Sequence, residues 1–277
     1  MVVKMRPELS DAIAYFKHKV ESKALIGIIL GSGLGSFADE LSDAVSFAAE
    51  QIPHFPSSTV EGHTGEFVFG SMEHIPIIVI KGRTHFYEGY QAASVTYVIR
   101  ILKALGIKIV IITNAAGGIN SKFRAGDLML IDDHINFMFQ NPLRGDIEPA
   151  ESRFIDMANP YAHNLYPVIK QIALNQGIVL HQGILLASTG PSYETSSEVK
   201  MISSFKADAV SMSTIPEVIV ARQLNLEVIG ISCITNMATG IENEPLSHND
   251  VTRTAALIQN KFNKLLKGII KAIYKFL

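Results

Sequence analysis

The chain has 277 residues, a single cysteine and a formal net charge of −2. This balance leaves no basic footprint for nucleic acid and favours a small-molecule partner, and a lone cysteine excludes an internal disulfide framework. No apolar run approaches the roughly 18 residues of a membrane span, and the start MVVKMRPELS lacks the apolar core of a secretory signal, so the expected location is the cytoplasm.

No stretch reads as linker, low-complexity tract or repeat, and residues 1–277 are expected to form one α/β domain with a central, mixed, largely parallel sheet flanked by helices. Glu8–Lys23 carries Leu9, Ile13, Phe16 and Val20 at helical spacing and leads into Leu25–Leu30, a compact buried strand. Gly31-Ser32-Gly33-Leu34-Gly35 follows. A glycine-rich turn after a strand exposes N–H groups to an anion, and a helix after it would add its positive end. The turn is neither GxGxxG nor a P-loop, so an anion cradle and a bare structural turn both stand. Ala44–Ile52 makes a poor buried strand. Pro53–Gly65 is a polar loop on which His63 stands between two glycines.

Gly65–Phe69 and Ile75–Ile80 read as a hairpin turning at Ser71–His74. Beyond it, alternation puts Arg83, His85 and Tyr87 on one face, a guanidinium, an imidazole and a phenol together; arginine offers a planar fork to phosphate oxygens. Ser94–Leu105 is an amphipathic helix closed by Gly106. Ile107–Ile112, apolar except for Lys108, reads as a central strand covered on both faces. After it Thr113-Asn114-Ala115-Ala116-Gly117-Gly118 reads as a turn of small residues at the carboxyl end of the sheet, where ligands bind in open α/β folds.

Leu128–Ile131 is a further short strand, and Asp133–Ala150 is loop-rich, with Phe137, Met138 and Phe139 suited either to an oligomer contact or to the core. Strands follow at Gln182–Ser188, Ala209–Met212 and Glu227–Thr235, with helices over Ser197–Phe205 and Glu217–Leu224. Cys233, among apolar neighbours, is expected to be a core thiol. The last helix opens at Ser247 with Asp250 three residues on, a capping arrangement that puts His248 at its mouth; Val251, Ile258, Leu265, Ile269 and Ile273 form its apolar stripe.

GSGLG at 31–35, GHTGE at 62–66, GRTHFYEGY at 82–90, TNAAGG at 113–118, TGPSYE at 189–194, VSMSTIPE at 210–217, Thr235-Asn236 and Ser247-His248, in this order, resemble the trimeric branch of the purine nucleoside phosphorylase family. The resemblance spans essentially the whole chain, with Ser211, Tyr193 and Met237 departing from residues common there. It implies phosphorolysis of 6-oxopurine nucleosides by a homotrimer, with inorganic phosphate as co-substrate and neither metal nor organic cofactor. Residue by residue it implies that Ser32, His63, Arg83, His85, Ala115 and Ser213 hold phosphate, and that Tyr87, Met212 and His248 hold ribose. Ala116, Tyr193, Glu194, Val210 and Asn236 would hold the base, with His85, Glu194 and Asn236 as the catalytic set.

Chemistry favours the same residues at the base. A donor at N7 strengthens as charge moves into the leaving purine, and a carboxylate accepts the N1–H of a 6-oxopurine but repels the bare N1 of adenine. Related methylthioadenosine phosphorylases, the alternative reading, typically lack the glutamate, carry aspartate in place of Asn236 and replace the histidine at 248. Two other classes are an NAD-dependent oxidoreductase, suggested by the glycine-rich turn and Glu50, and a purine-binding protein without catalysis.

Overall fold

The computed structural model describes residues 6–60, 65–146, 151–241 and 247–277, with the backbone alone at 248 and 249. In chain order its elements are α1 (Pro7–Lys17), β1 (Ile26–Leu30), β2 (Ser42–Phe47), β3 (Glu66–Met72), β4 (Ile75–Lys81), α2 (Ala92–Val95), α3 (Tyr97–Ala104), β5 (Ile109–Gly118), β6 (Leu128–Asn136), α4 (Tyr166–Asn175), β7 (Leu180–Ala187), α5 (Ser196–Ser204), β8 (Ala209–Ser211), α6 (Ile215–Gln223), β9 (Glu227–Met237) and α7 (His248–Ile273). The strands make one nine-stranded sheet in the order β2-β3-β4-β1-β5-β8-β7-β6-β9, and β9 returns to pair with β5. That last pairing closes β5, β8, β7, β6 and β9 into a ring, with β1, β4, β3 and β2 as an open wing. The sheet is mixed: β1 lies parallel to β4 and β5, β9 parallel to β5, and β7 parallel to both β6 and β8, whereas the β3 pairings and those of β5 with β8 and β6 with β9 are antiparallel.

Burial explains the arrangement. Every residue of β1 is buried, as are Ile109 to Asn114 of β5, the signature of strands sandwiched on both faces. Phe16 of α1 and Phe37, Phe67 and Phe262 are fully buried, each such side chain contributing about 1.5–3 kcal/mol relative to exposure. Phe16 packs within 5.5 Å, centroid to centroid, of Phe47, Phe67 and Phe69, fastening α1 to the open wing. On α7, Leu265, Ile269 and Ile273 are buried along the expected stripe. Cys233 is also fully buried, and loss of solvent pushes its thiol up to about 12, as befits an inert core thiol. Among the described residues no helix is long and apolar enough to cross a membrane.

Several elements depart from their expected form. The small-residue stretch 113–118 is not a turn: it continues β5 through Gly118, with Gly117 and Gly118 opposite Asn236 and Met237 of β9. The glycines serve close approach there, because a Cβ on Gly118 would lie 2.9 Å from both Ile234 Cγ2 and Met237 Sδ. The turn after β1 is followed by a six-residue 3₁₀ segment at Gly35–Glu40 and not by an α-helix, so no helix dipole reinforces it. The helix expected over Ser94–Leu105 breaks into α2 and α3 at Thr96, whose hydroxyl donates back to the Ala92 carbonyl at 2.8 Å, a competition that bends helices. α1 ends at Lys17, short of Lys23, and Ser22 then takes the Ala24 N–H. β6 extends to Asn136 across a register shift between Ile131 and Asp133. Two elements carry weak sequence signals: β2 is an edge strand exposed at five of six positions, and α4 lies in a stretch with no marked apolar period.

β1 and β5 pack so closely that a Cβ on Gly31 would sit 2.7 Å from Asn114 Cα. Gly31→Ala is therefore expected to destabilise the protein by about 1–3 kcal/mol, the range for overpacking. Chemical denaturation measures this directly, and an unchanged midpoint would mean that the strand ends separate at no cost.

Candidate active site

The carboxyl ends of β1, β4, β5, β8 and β9 surround one cleft. Ser32, Arg83, His85, Tyr87, Ala115, Ala116, Tyr193, Glu194, Val210, Met212, Ser213 and Asn236 all line it. Of the expected site residues, His63 lies outside the described residues, and His248 is described only as the first residue of α7, without its side chain. Gly31, Asn114, Gly117, Ser211, Thr235, Ala238 and Val251 complete the lining. The site thus gathers at the carboxyl ends of strands, where α/β sheets take ligands.

Arg83 is the most buried charge in the wall, 4% exposed, and it is held on several sides. Nη1 donates to Ser213 Oγ at 3.1 Å, to Thr214 Oγ1 at 3.2 Å and to the Glu217 carboxylate at 3.2 Å. Nη2 donates to the carbonyls of Ile29 and Thr113. Burial lowers the arginine pKa against the pull of Glu217, and burial pushes the Glu217 carboxyl up against the pull of Arg83. The guanidinium keeps its proton in proteins, and the 3.2 Å contact with the carboxylate makes the two a buried salt bridge. Thr214 caps α6 at φ 77°, a costly backbone for a β-branched residue, of order 1–3 kcal/mol. Its hydroxyl, which also accepts from Asn114 Nδ2 at 2.9 Å, helps to hold it there.

His85 is anchored by Glu88. The Glu88 Oε1 accepts the His85 backbone N–H at 2.7 Å and lies 3.1 Å from His85 Nδ1, while Oε2 accepts from Ser58 Oγ, Thr59 N and Thr59 Oγ1. Burial pushes this carboxyl up, but the hydrogen bonds from His85 and Thr59 outweigh it and hold the group at about 2. An ionised carboxylate only accepts, so Nδ1 carries a proton and donates it to Glu88. The ring stacks on Tyr87 at 4.6 Å, and burial raises the Tyr87 phenol to about 12, so it remains a neutral hydroxyl at physiological pH.

Asn236 owes its direction to a bulge. Ala116 pairs with Ile234 but Gly117 pairs with Asn236, so Thr235 is the extra residue that re-aims the strand end. Asn236 Nδ2 lies 3.1 Å from the Met237 carbonyl, which can only accept, and this fixes the nitrogen; Oδ1 takes the Thr235 hydroxyl at 3.0 Å. Glu194 is held by Ser188, whose hydroxyl donates to Oε1 at 2.7 Å. Beside Glu194, a second hollow leads to Phe137, Phe139 and Met201. Phe137 packs at a tilt against Phe139 and Phe205, and Phe139 is 78% exposed while Met138 turns into the core.

The support around the site was not evident from sequence. Ser188 stands outside the motifs, and although Glu88, Glu217 and Thr235 fall within them, nothing in the sequence shows that they hold His85, Arg83 and Asn236. Among the described residues no group of three or more His, Cys, Asp or Glu is placed to hold a metal ion.

Comparison with known proteins places this geometry. Residues 25–271 match the Phosphorylase superfamily. The chain is 48% identical over 267 residues to purine nucleoside phosphorylase 1 of Bacillus subtilis (strain 168), covering 96% of this chain and 98% of that protein. The chain belongs to the purine nucleoside phosphorylase family. The family extends to animals: the Rattus norvegicus purine nucleoside phosphorylase is 38% identical, with 94% of this chain and 91% of that protein covered. The fold agrees, with a TM-score of 0.90 at 32% identity against the Schistosoma mansoni purine nucleoside phosphorylase in complex with inosine, over 97% of both chains.

The Glu88 clasp makes a pH-dependent prediction. A carboxyl held at about 2 when folded, against an ordinary 4.5, adds stability that is complete above pH 4.5 and is lost as pH falls toward 2. Glu88→Gln should flatten the stability profile in that window and lower stability at neutral pH. Equal slopes for both proteins between pH 4.5 and 2 would show that the clasp does not form in solution.

Proposed function

We propose that the cleft catalyses the reversible phosphorolysis of 6-oxopurine ribonucleosides and deoxyribonucleosides, inosine and guanosine among them, to the free base and a pentose 1-phosphate. The observation that carries the reading is the joining, in one cleft, of an anion-handling wall (Ser32, Arg83, His85, Ser213) with an oriented carboxamide and a carboxylate (Asn236, Glu194). Inorganic phosphate sits against the first set, with the Ala115 backbone and His63 completing the pocket. Tyr87, Met212 and His248 hold the sugar above it, and Ala116, Tyr193 and Val210 enclose the base.

In this reading a phosphate oxygen bonds to C1′ as the C1′–N9 bond breaks and its electron pair moves into the purine. The neutral Tyr87 hydroxyl and the Glu88-oriented His85 ring hold sugar and phosphate in register, so little reorganisation accompanies the step. Asn236 donates to N7, where negative charge grows, an interaction stronger in the transition state than in the ground state. Glu194, with one oxygen tied to Ser188, accepts from N1–H and disfavours adenine. Inorganic phosphate is the co-substrate, and the chemistry calls for no metal or organic cofactor. The relatives described above are purine nucleoside phosphorylases, and with Glu194 and Asn236 in place the methylthioadenosine reading has no support in this cleft.

The protein works in this reading as one domain per subunit of a cytoplasmic homotrimer, the exposed Phe139 and Phe205 forming a contact beside the cleft. Sedimentation is expected to give a trimer at assay concentration, and a fully active 30.3 kDa species would rule out a required trimer.

The decisive assay is incubation with inosine, with and without phosphate. Hypoxanthine released only with phosphate is the expected result, and equal release in both indicates a hydrolase. The base reading is tested by Asn236→Asp, which removes one transition-state donor, a loss of about 2.7–4 kcal/mol or roughly 10²–10³ in rate. Inosine kcat/KM should fall by that factor and adenosine should gain relative to it, with Glu194 limiting the gain. If the inosine-to-adenosine ratio is unchanged, Asn236 does not select the base.

A further inference from the structure

Behind the anion-handling wall lies a carboxylate that the reaction above does not use. Glu217, in the first turn of α6, is 1% exposed and takes no part in the cleft lining, yet its Oε2 is 3.2 Å from the Arg83 Nη1 that also donates to Ser213. A phosphate at Arg83 and Ser213 would therefore share its cation with a negative charge already in place. The group is set deliberately: Thr214, next to Ser213, is held at positive φ while its hydroxyl bridges Arg83 and Asn114. Arg83 is in turn anchored by the carbonyls of Ile29 of β1 and Thr113 of β5, so it cannot simply swing away from Glu217.

We propose that Glu217 is a positioning residue that limits the strength of the phosphate pocket: it fixes the Arg83 guanidinium and offsets part of its charge, so that phosphate and the pentose 1-phosphate product bind weakly enough to leave. This rests on the phosphorolytic reading. Without Glu217 the arginine would be fixed less well by its neighbours but would present its whole charge to an anion. A pocket that binds both phosphate forms more tightly gains affinity and loses turnover, because release of the sugar phosphate slows.

Glu217→Gln keeps the shape and removes the charge. One unit charge withdrawn a few ångströms behind the site, partly screened, should tighten phosphate binding by about three- to tenfold. Inorganic phosphate is titrated against the wild type and the variant by calorimetry and by thermal shift, and KM for phosphate and kcat are measured with inosine. The expected result is a lower phosphate Kd and KM, a lower kcat, and a larger phosphate-induced rise in Tm than in the wild type. A Kd that is unchanged or raised overturns the proposal, as does a variant that stays unfolded even at saturating phosphate. Glu217→Asp, which keeps the charge, separates charge from packing: its phosphate Kd should stay within about twofold of wild type, and tightening equal to that of the glutamine variant overturns the charge argument. The two readings fail differently. A wild type that shows neither phosphate binding nor phosphate-dependent turnover defeats the function, whereas a wild type with both and a glutamine variant of equal phosphate affinity defeats only the role of Glu217.

Discussion

The close contact between the ends of β5 and β9 is the constraint on which the structure depends. β5 has β9 along its length on one side, and on the other β1 over Ile109 to Ile112 and then, at Gly117 and Gly118, β8 in the antiparallel sense. At Gly118 a Cβ would crowd Ile234 and Met237, which approach from β9, and the same pairing turns a sheet into a ring. The bulge at Thr235 absorbs the mismatch. It is also what turns the Asn236 amide toward the cleft, so the closing of the fold and the placing of a functional group are one event.

Around that junction, charge is handled by pairing inside the protein. Arg83 with Glu217, and His85 with Glu88, are both buried, so the guanidinium and the imidazole of the cleft each have a carboxylate behind them. Such pairs contribute little net stability, because desolvation offsets most of the attraction, but removing one member strands the other in a poor solvent. Their value lies in fixed geometry: the groups that would face phosphate and sugar are oriented before any ligand arrives. This is also why a truncation of Arg83 would be a blunt probe of binding, since it leaves Glu217 buried with an unbalanced charge.

What could be read in advance follows from how local each signal is. β1, β4 and β9 are apolar runs bounded by turn formers, and the last helix announces itself through Ser247, Asp250 and a long apolar stripe, so these were legible. The cleft was legible because its residues sit in short ordered motifs at strand ends. The continuation of β5 through TNAAGG was not, since small residues favour a turn locally and only a partner strand distant in the chain, with Asn236 opposite Gly117, holds them extended. β2 was hidden because an edge strand with a solvated outer face has no apolar pattern to show. Glu217, Ser188 and Thr235 act through neighbours brought together by the fold, and no spacing in the chain encodes that.

The Glu88 clasp reaches further than the cleft it supports. One oxygen of its carboxylate serves His85 and the other serves Ser58 and Thr59, neither of which lines the cavity. The orientation of the imidazole thus depends on two hydroxyls that a survey of cavity-lining positions would pass over as neutral. Transplanting the pocket onto another scaffold by copying its lining would leave the histidine without the counterweight that sets its tautomer, and the loop would have to travel with it.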